Sequence, residues 1–258
     1  MNRKLKAFGQ LLKIMDELRE QCPWDKKQTY ETLRKLTIEE TYELADAIIS
    51  KRPDDIKKEL GDMLLHIVFY ARIGSEKDGF DIADVIEELI KKLIFRHPHI
   101  YSNIEANDDE QVKKNWEALK LKEGKKTVLG GIPKSLPAMV KANRIQEKVR
   151  GVGFDWEEKE QIWDKVSEEL GELQDAVRKK ERSEKIEEEF GDLIFSVINA
   201  ARLYSVDPEI ALERTNRKFI KRFNFLEKET ISKGKSLHNM SLAEMDKIWE
   251  KAKKNEIQ

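Results

Sequence analysis

Two stretches of this 258-residue chain carry acidic residues in the same order and at nearly the same spacing. The first reads Glu39-Glu40-Thr41-Tyr42-Glu43-Leu44-Ala45-Asp46, then Glu59-Leu60-Gly61-Asp62 and an apolar run to Ala71-Arg72. The second reads Glu168-Glu169-Leu170-Gly171-Glu172-Leu173-Gln174-Asp175, then Glu189-Phe190-Gly191-Asp192 and an apolar run to Ala201-Arg202. Glu40 and Glu59 lie 19 positions apart, Glu169 and Glu189 lie 20 apart, and one extra residue fits in a turn between helices. Lys92 and Arg96 find counterparts in Lys218 and Arg222, each pair four residues apart. With acids at about a fifth of the chain, a lone Glu-Glu-x-x-Glu is expected about twice by accident. Composition does not account for two such motifs, each found twice in one order.

On a helix, residues three apart face the same side, so Glu40 pairs with Glu43, Glu59 with Asp62, Glu169 with Glu172 and Glu189 with Asp192. A short turn makes consecutive helices antiparallel neighbours, which lets four carboxylates converge across one seam. Acids beside the most apolar helices are costly unless paired or metal-bound. Carboxylate oxygens without Cys or His suit hard cations such as Mg²⁺, Mn²⁺ or Ca²⁺. Gly61 and Gly191, awkward inside helices, point to a close neighbouring helix or ligand. Acids holding Mg²⁺ beside paired cations are what a polyphosphate requires, the cations neutralising charge on the leaving group. No Gly-x-x-x-x-Gly-Lys-Ser/Thr run is present, so a P-loop cradle is excluded.

The elements that must position these residues read as helices throughout. Leu5–Leu18 repeats apolar residues at three- and four-residue steps. Further helices are expected from Tyr30 to Ser50, Pro53 to Ile73 and Asp81 to the residues before Pro98, with Gly74 and Gly79 marking a turn. Beyond the breaker cluster Lys122–Pro137 come Ala138–Val149, Glu157–Lys180, Ser183–Tyr204, Asp207–Thr230 and a last helix opened by a Ser241–Glu244 capping box. Strand periodicity is nearly absent, so the class is all-α, with domains over 1–121 and 138–258 and a linker over 122–137. Lys+Arg number 49 and Asp+Glu 50, which argues against a nucleic-acid partner. One Cys and four His exclude a disulfide and leave little for zinc. No run is long and apolar enough for a membrane span, Met1–Glu20 lacks a signal-peptide core, and a cytoplasmic location is expected.

Cys22-Pro23-Trp24-Asp25 with Gln28-Thr29, the acidic pairs, and Val152-Gly153-Phe154-Asp155-Trp156 together resemble the MazG family of all-α nucleoside triphosphate pyrophosphohydrolases, over nearly the whole chain and in both halves. The resemblance implies two tandem helical-bundle domains and Mg²⁺-dependent hydrolysis of NTP to NMP and pyrophosphate, with Mn²⁺ as a substitute. It also implies a homodimer and a role in cleaning the nucleotide pool. Carried over, Glu169, Glu172 and Asp192 match metal ligands supported by Glu189, and Glu168 matches a further ligand or a base for water. Lys185, Lys218 and Arg222 match phosphate-holding positions, and Trp249 part of the nucleotide pocket. Glu40, Glu43, Glu59 and Asp62 match the same metal pattern in the first half. That half departs at Tyr30 and Thr32, where the family often has His and Ser.

Two rival readings carry different chemistry. A di-iron bundle wants Glu-x-x-His twice, and none of the four His has a Glu three residues before it. A duplicated helical scaffold that only binds partner proteins would show neither hydrolysis nor a metal effect. His66 reads as a core histidine. Between the halves, the second is expected to do most of the work, because Arg96 abuts His97-Pro98 at a fraying end whereas Arg222 lies inside an unbroken pattern.

Overall fold

A computed structural model describes residues 2–101, 127–232, 234 and 236–255. Every regular element among them is helical, and the chain divides into two compact units, 1–112 and 113–258. Trp116 and the first five residues of the expected linker, 122–126, lie outside the described residues. No described helix is long and apolar enough to cross a membrane.

The first unit holds α1 (Arg3–Gln21), α2 (Tyr30–Ile49), α3 (Pro53–Lys77) and α4 (Ile82–Arg96). Thr29 caps α2 reciprocally with Thr32, Pro53 occupies the first turn of α3, and the Asp81 carboxylate receives the Ala83 and Asp84 amides of α4. Each cap satisfies N–H groups that a helix start leaves without partners. Met15, Leu33, Val68, Phe69 and Ile73 form the core, with Leu36 and Tyr70 packed against it. Two expectations need correction. α3 runs past Gly74 to Lys77, and Gly74 is glycine because a Cβ there would run into the Phe80 ring. Gly61 and Gly191 meet no described residue where a Cβ would stand, so no described helix accounts for them.

The second unit holds α5 (Ala138–Arg150), α6 (Ile162–Arg178), α7 (Ser183–Leu203), α8 (Pro208–Ile231) and α9 (Leu242–Asn255). α6 starts five residues later than the expected Glu157. The Asp155 carboxylate is tied to Arg202 and lies 3.4 Å from Arg150, which pins the chain before it can coil. A 3₁₀ turn at Lys159–Gln161 then leads in. Ser241 and Glu244 cap α9 mutually, as expected. The buried apolar side chains here include Ala142, Ile162, Leu173, Ala176, Ile198 and Ala200, smaller on the whole than the core of the first unit.

Candidate functional site

In each unit an antiparallel helical hairpin carries the acids. Ser50–Arg52 joins α2 to α3 with Lys51 left-handed at φ +53°, and Lys179–Arg182 joins α6 to α7 with Lys180 at φ +52°. The turns differ by one residue, which accounts for the one-residue difference between the repeats. Across the first seam, oxygens of Glu40, Glu43 and Glu59 lie within 4.8 Å of one another; across the second, Glu169, Glu172 and Glu189 do the same. Ligands of one Mg²⁺ at about 2.1 Å stand at most about 4.2 Å apart, so small side-chain rotations close either triangle. Asp62 borders the first triangle, 3.9 Å from Lys58 Nζ. Asp192 is exposed one turn beyond Glu189.

Burial makes these clusters unusual. Glu59, Glu169 and Glu189 are only 6, 7 and 5% exposed. Glu59 Oε1 accepts from Lys58 at 2.9 Å and Glu189 Oε1 pairs with Lys185 at 2.7 Å. The Oε2 atom of both glutamates has no hydrogen-bond partner among the described residues. An orphaned buried carboxylate oxygen, repeated at the same place in both copies, fits a cation better than it fits a structural role. Burial, reinforced by Asp62 and Glu43, raises the Glu40 carboxyl above its ordinary pKa. Donating to Glu189 and Glu188 raises that of the Lys185 ammonium, and donating to Glu169 and Glu168 raises that of Lys165. The two lysine shifts reflect the carboxylates around them, and the Glu40 shift reflects burial first and those carboxylates second.

Sharing Glu169 with the second triangle is a cavity of about 540 Å³, lined also by Asp192, Trp156, Phe195, Asn199 and Arg202. Its wall is mainly apolar with a few polar groups, the character of a small-molecule site. Lys165 also lines it, its Nζ 2.7 Å from Glu169 and 3.1 Å from Glu168. Arg202 braces it through Asp155 and the Asn199 side-chain oxygen. The positions that match Lys165, Ser196 and Asn199 in the first repeat are Leu36, His66 and Phe69. There Leu36 and Phe69 belong to the core, and His66 is buried with Nδ1 2.7 Å from Thr37 Oγ1.

The expected site residues thus fall into two groups. Glu168, Glu169, Glu172, Lys185 and Glu189 gather on the α6–α7 hairpin, and Asp192 borders both triangle and cavity. Lys218, Arg222 and Trp249 lie on α8 and α9, where the Arg222 guanidinium sits 5.9 Å from the Trp249 ring centre and Phe219 packs against the same ring. Sequence reasoning missed Lys165, Gln146 and Asn199, which carry no motif. Lys165 has only its position four residues before Glu169, and the first repeat places Leu36 there.

Residues 28–101 and 157–225 each match the MazG nucleotide pyrophosphohydrolase domain. The chain is 45% identical over 251 residues to a Thermotoga maritima protein named nucleoside triphosphate pyrophosphohydrolase/pyrophosphatase MazG, covering 95% of both chains. It is 39% identical over 261 residues to the Escherichia coli K12 nucleoside triphosphate pyrophosphohydrolase, covering 98% of this chain and 99% of that one.

Proposed function

The chain belongs to the MazG nucleotide pyrophosphohydrolase family, and from that premise we propose that its second repeat cleaves nucleoside triphosphates between the α- and β-phosphates. The products are NMP and pyrophosphate, and the role is removal of unwanted nucleotides from the cytoplasmic pool. One observation supports this reading: Glu169, a corner of the carboxylate triangle that includes Glu189 with its orphaned oxygen, also lines the 540 Å³ cavity.

Glu169, Glu172, Glu189 and Asp192 would hold Mg²⁺, with Mn²⁺ as a substitute, and the ion would polarise phosphate oxygens and the attacking water. Glu168, exposed and held by Lys165, would take a proton from that water. Lys165 and Lys185, whose ammonium groups lie 2.7 Å from Glu169 and Glu189, would be the cations nearest to the phosphates. Lys218 and Arg222 neutralise charge developing on the pyrophosphate. Trp249, against Arg222, closes the nucleotide site from α9. Glu40, Glu43, Glu59 and Asp62 form a second metal site with a filled interior beside it.

Association as a homodimer is supported by matching apolar stripes left exposed on both hairpins. Leu60, Leu64 and Ile67 on α3 are 54, 38 and 46% exposed, and Phe190, Ile194 and Val197 repeat them on α7. Stripes of this size mark protein contacts, and light scattering on the intact chain checks the mass. Hydrolysis in ¹⁸O-water, with and without Mg²⁺, tests the reaction: label belongs in NMP and none in pyrophosphate. NDP and orthophosphate as products would reject it.

A further inference from the structure

Gln146 is buried in α5, 3% exposed, and lines the cavity of the second unit. Its side-chain Nε2 donates to the main-chain oxygen of Phe195 at 2.9 Å. A carbonyl oxygen can only accept, so this bond fixes which end of the amide is which. The remaining atom, Gln146 Oε1, has no hydrogen-bond partner among the described residues. Leaving a buried amide oxygen without a donor is costly, and folded proteins keep few such groups without a reason.

The first repeat supplies the control. Asp16 precedes Arg72 by 56 residues, as Gln146 precedes Arg202. Asp16 is occupied: Arg72 Nε stands 2.7 Å away, an ion pair without a linear hydrogen bond, since that Nε lacks one. In the second repeat the arginine turns instead to Asp155 and Asn199, and the facing position carries a neutral amide. The change removes a charge and frees an acceptor in the unit that holds the 540 Å³ cavity. Phe195 lies one helical turn past Asp192, so Gln146 is anchored to the cavity wall beyond the acids along α7, where the nucleoside would lie with its phosphates toward those acids.

We infer that Gln146 is a substrate-binding residue, its Oε1 accepting a hydrogen bond from an N–H or O–H of the nucleoside held in the cavity. This rests on the assignment of nucleotide hydrolysis to the second repeat. A base N–H and a ribose hydroxyl offer the same chemistry. The amide acceptor therefore accommodates all four bases, each of which has an N–H, and selects against a nucleoside that lacks the donor.

Gln146→Met removes the acceptor at nearly constant volume, and Gln146→Leu serves as a second variant should the first fold poorly. Hydrolysis is measured with ATP, with purine riboside triphosphate, which lacks the 6-amino group, and with 2′-deoxy- and 3′-deoxy-ATP. The variant should raise KM for ATP about three- to tenfold, the scale of one lost hydrogen bond, with kcat within about twofold. Wild type should discriminate against one of the analogues, and the variant should lose that discrimination. Discrimination against purine riboside triphosphate assigns the bond to the base, and against a deoxy analogue to the ribose. Unchanged KM and discrimination in a folded variant overturn the inference, as does a fall in kcat alone. Should wild type cleave no triphosphate, the functional reading fails, and titration with α,β-methylene-ATP still decides the role of Gln146. Binding weakened about three- to tenfold in Gln146→Met upholds it; equal binding, or none to wild type, rejects it.

Discussion

The two hairpins hold nearly the same acids in nearly the same geometry, yet what packs behind them differs. Behind the first, Phe69, Leu36, Met15 and Ile73 fill the interior. Behind the second, Asn199 and Lys165 stand in place of Phe69 and Leu36, and the space is a cavity. The cations differ as well. Arg96 is the last residue of α4, next to a C-cap at His97, whereas Arg222 lies well inside α8, against Trp249. A carboxylate cluster fits a metal, but room beside it, with Lys165 on its wall, is what fits a triphosphate. Duplication copied the acids, and divergence of the neighbours separated the two copies.

The largest effect should come from deleting one acid in each copy. Asp192→Ala should cut NTP hydrolysis at least about 10²-fold, the scale of lost transition-state electrostatics, while Asp62→Ala should cost little. Both variants are compared at one Mg²⁺ and NTP concentration after circular dichroism confirms helicity. Greater damage from Asp62→Ala reverses the comparison, and equal losses of about half mean two independent sites.

A smaller effect tests the cavity itself. Asn199→Phe places the first repeat's side chain in the second and should raise KM for ATP at least about tenfold by occlusion. Thermal stabilisation by Mg²⁺ should persist, because the carboxylates are untouched. An unchanged KM would mean that the nucleoside lies elsewhere.

The smallest effect is in stability against pH, where one carboxyl in each unit should contribute with opposite sign. Glu40 has a raised carboxyl pKa when folded, mainly through burial, so the folded state binds more protons than the unfolded one. Without metal, its contribution to stability falls as pH rises from the ordinary carboxylate pKa through the raised one. Asp155 is the reverse case. Burial alone would raise its carboxyl, but the Arg202 hydrogen bonds outweigh this and hold it low, so its contribution is lost as pH falls through that depressed value. Melting profiles across the acid range should show Glu40→Gln flattening the first trend and Asp155→Asn the second, each by a few degrees. Matching slopes in both variants would remove the contrast. Mg²⁺ should suppress the Glu40 trend, because a bound cation displaces the proton.

Much of this was legible in the sequence. Helical periodicity, Pro53, Asp81 and Ser241 located most element starts, because these signals are local, and the duplicated acids located both triangles. Three things were not legible. Gly74 reads as a breaker but is a contact with Phe80, a tertiary fact with no local mark. The late start of α6 depends on Arg202, 47 residues away from Asp155. The cavity follows from single exchanges such as Phe69 against Asn199, which become meaningful once the two interiors are laid side by side. Lys165 and Gln146 belong to that last class.

The short turns of the two hairpins also bear on how quickly the chain organises itself. Glu40 and Glu59 are 19 residues apart, and Glu169 and Glu189 are 20 apart, so each triangle closes with a loop of modest entropy. Chains dominated by such near-neighbour contacts fold fast, because little of the polymer must be searched before a productive encounter. Each acidic seam can therefore form while the rest of its unit is still assembling, and the repulsion within it is met early, when water can still reach the carboxylates.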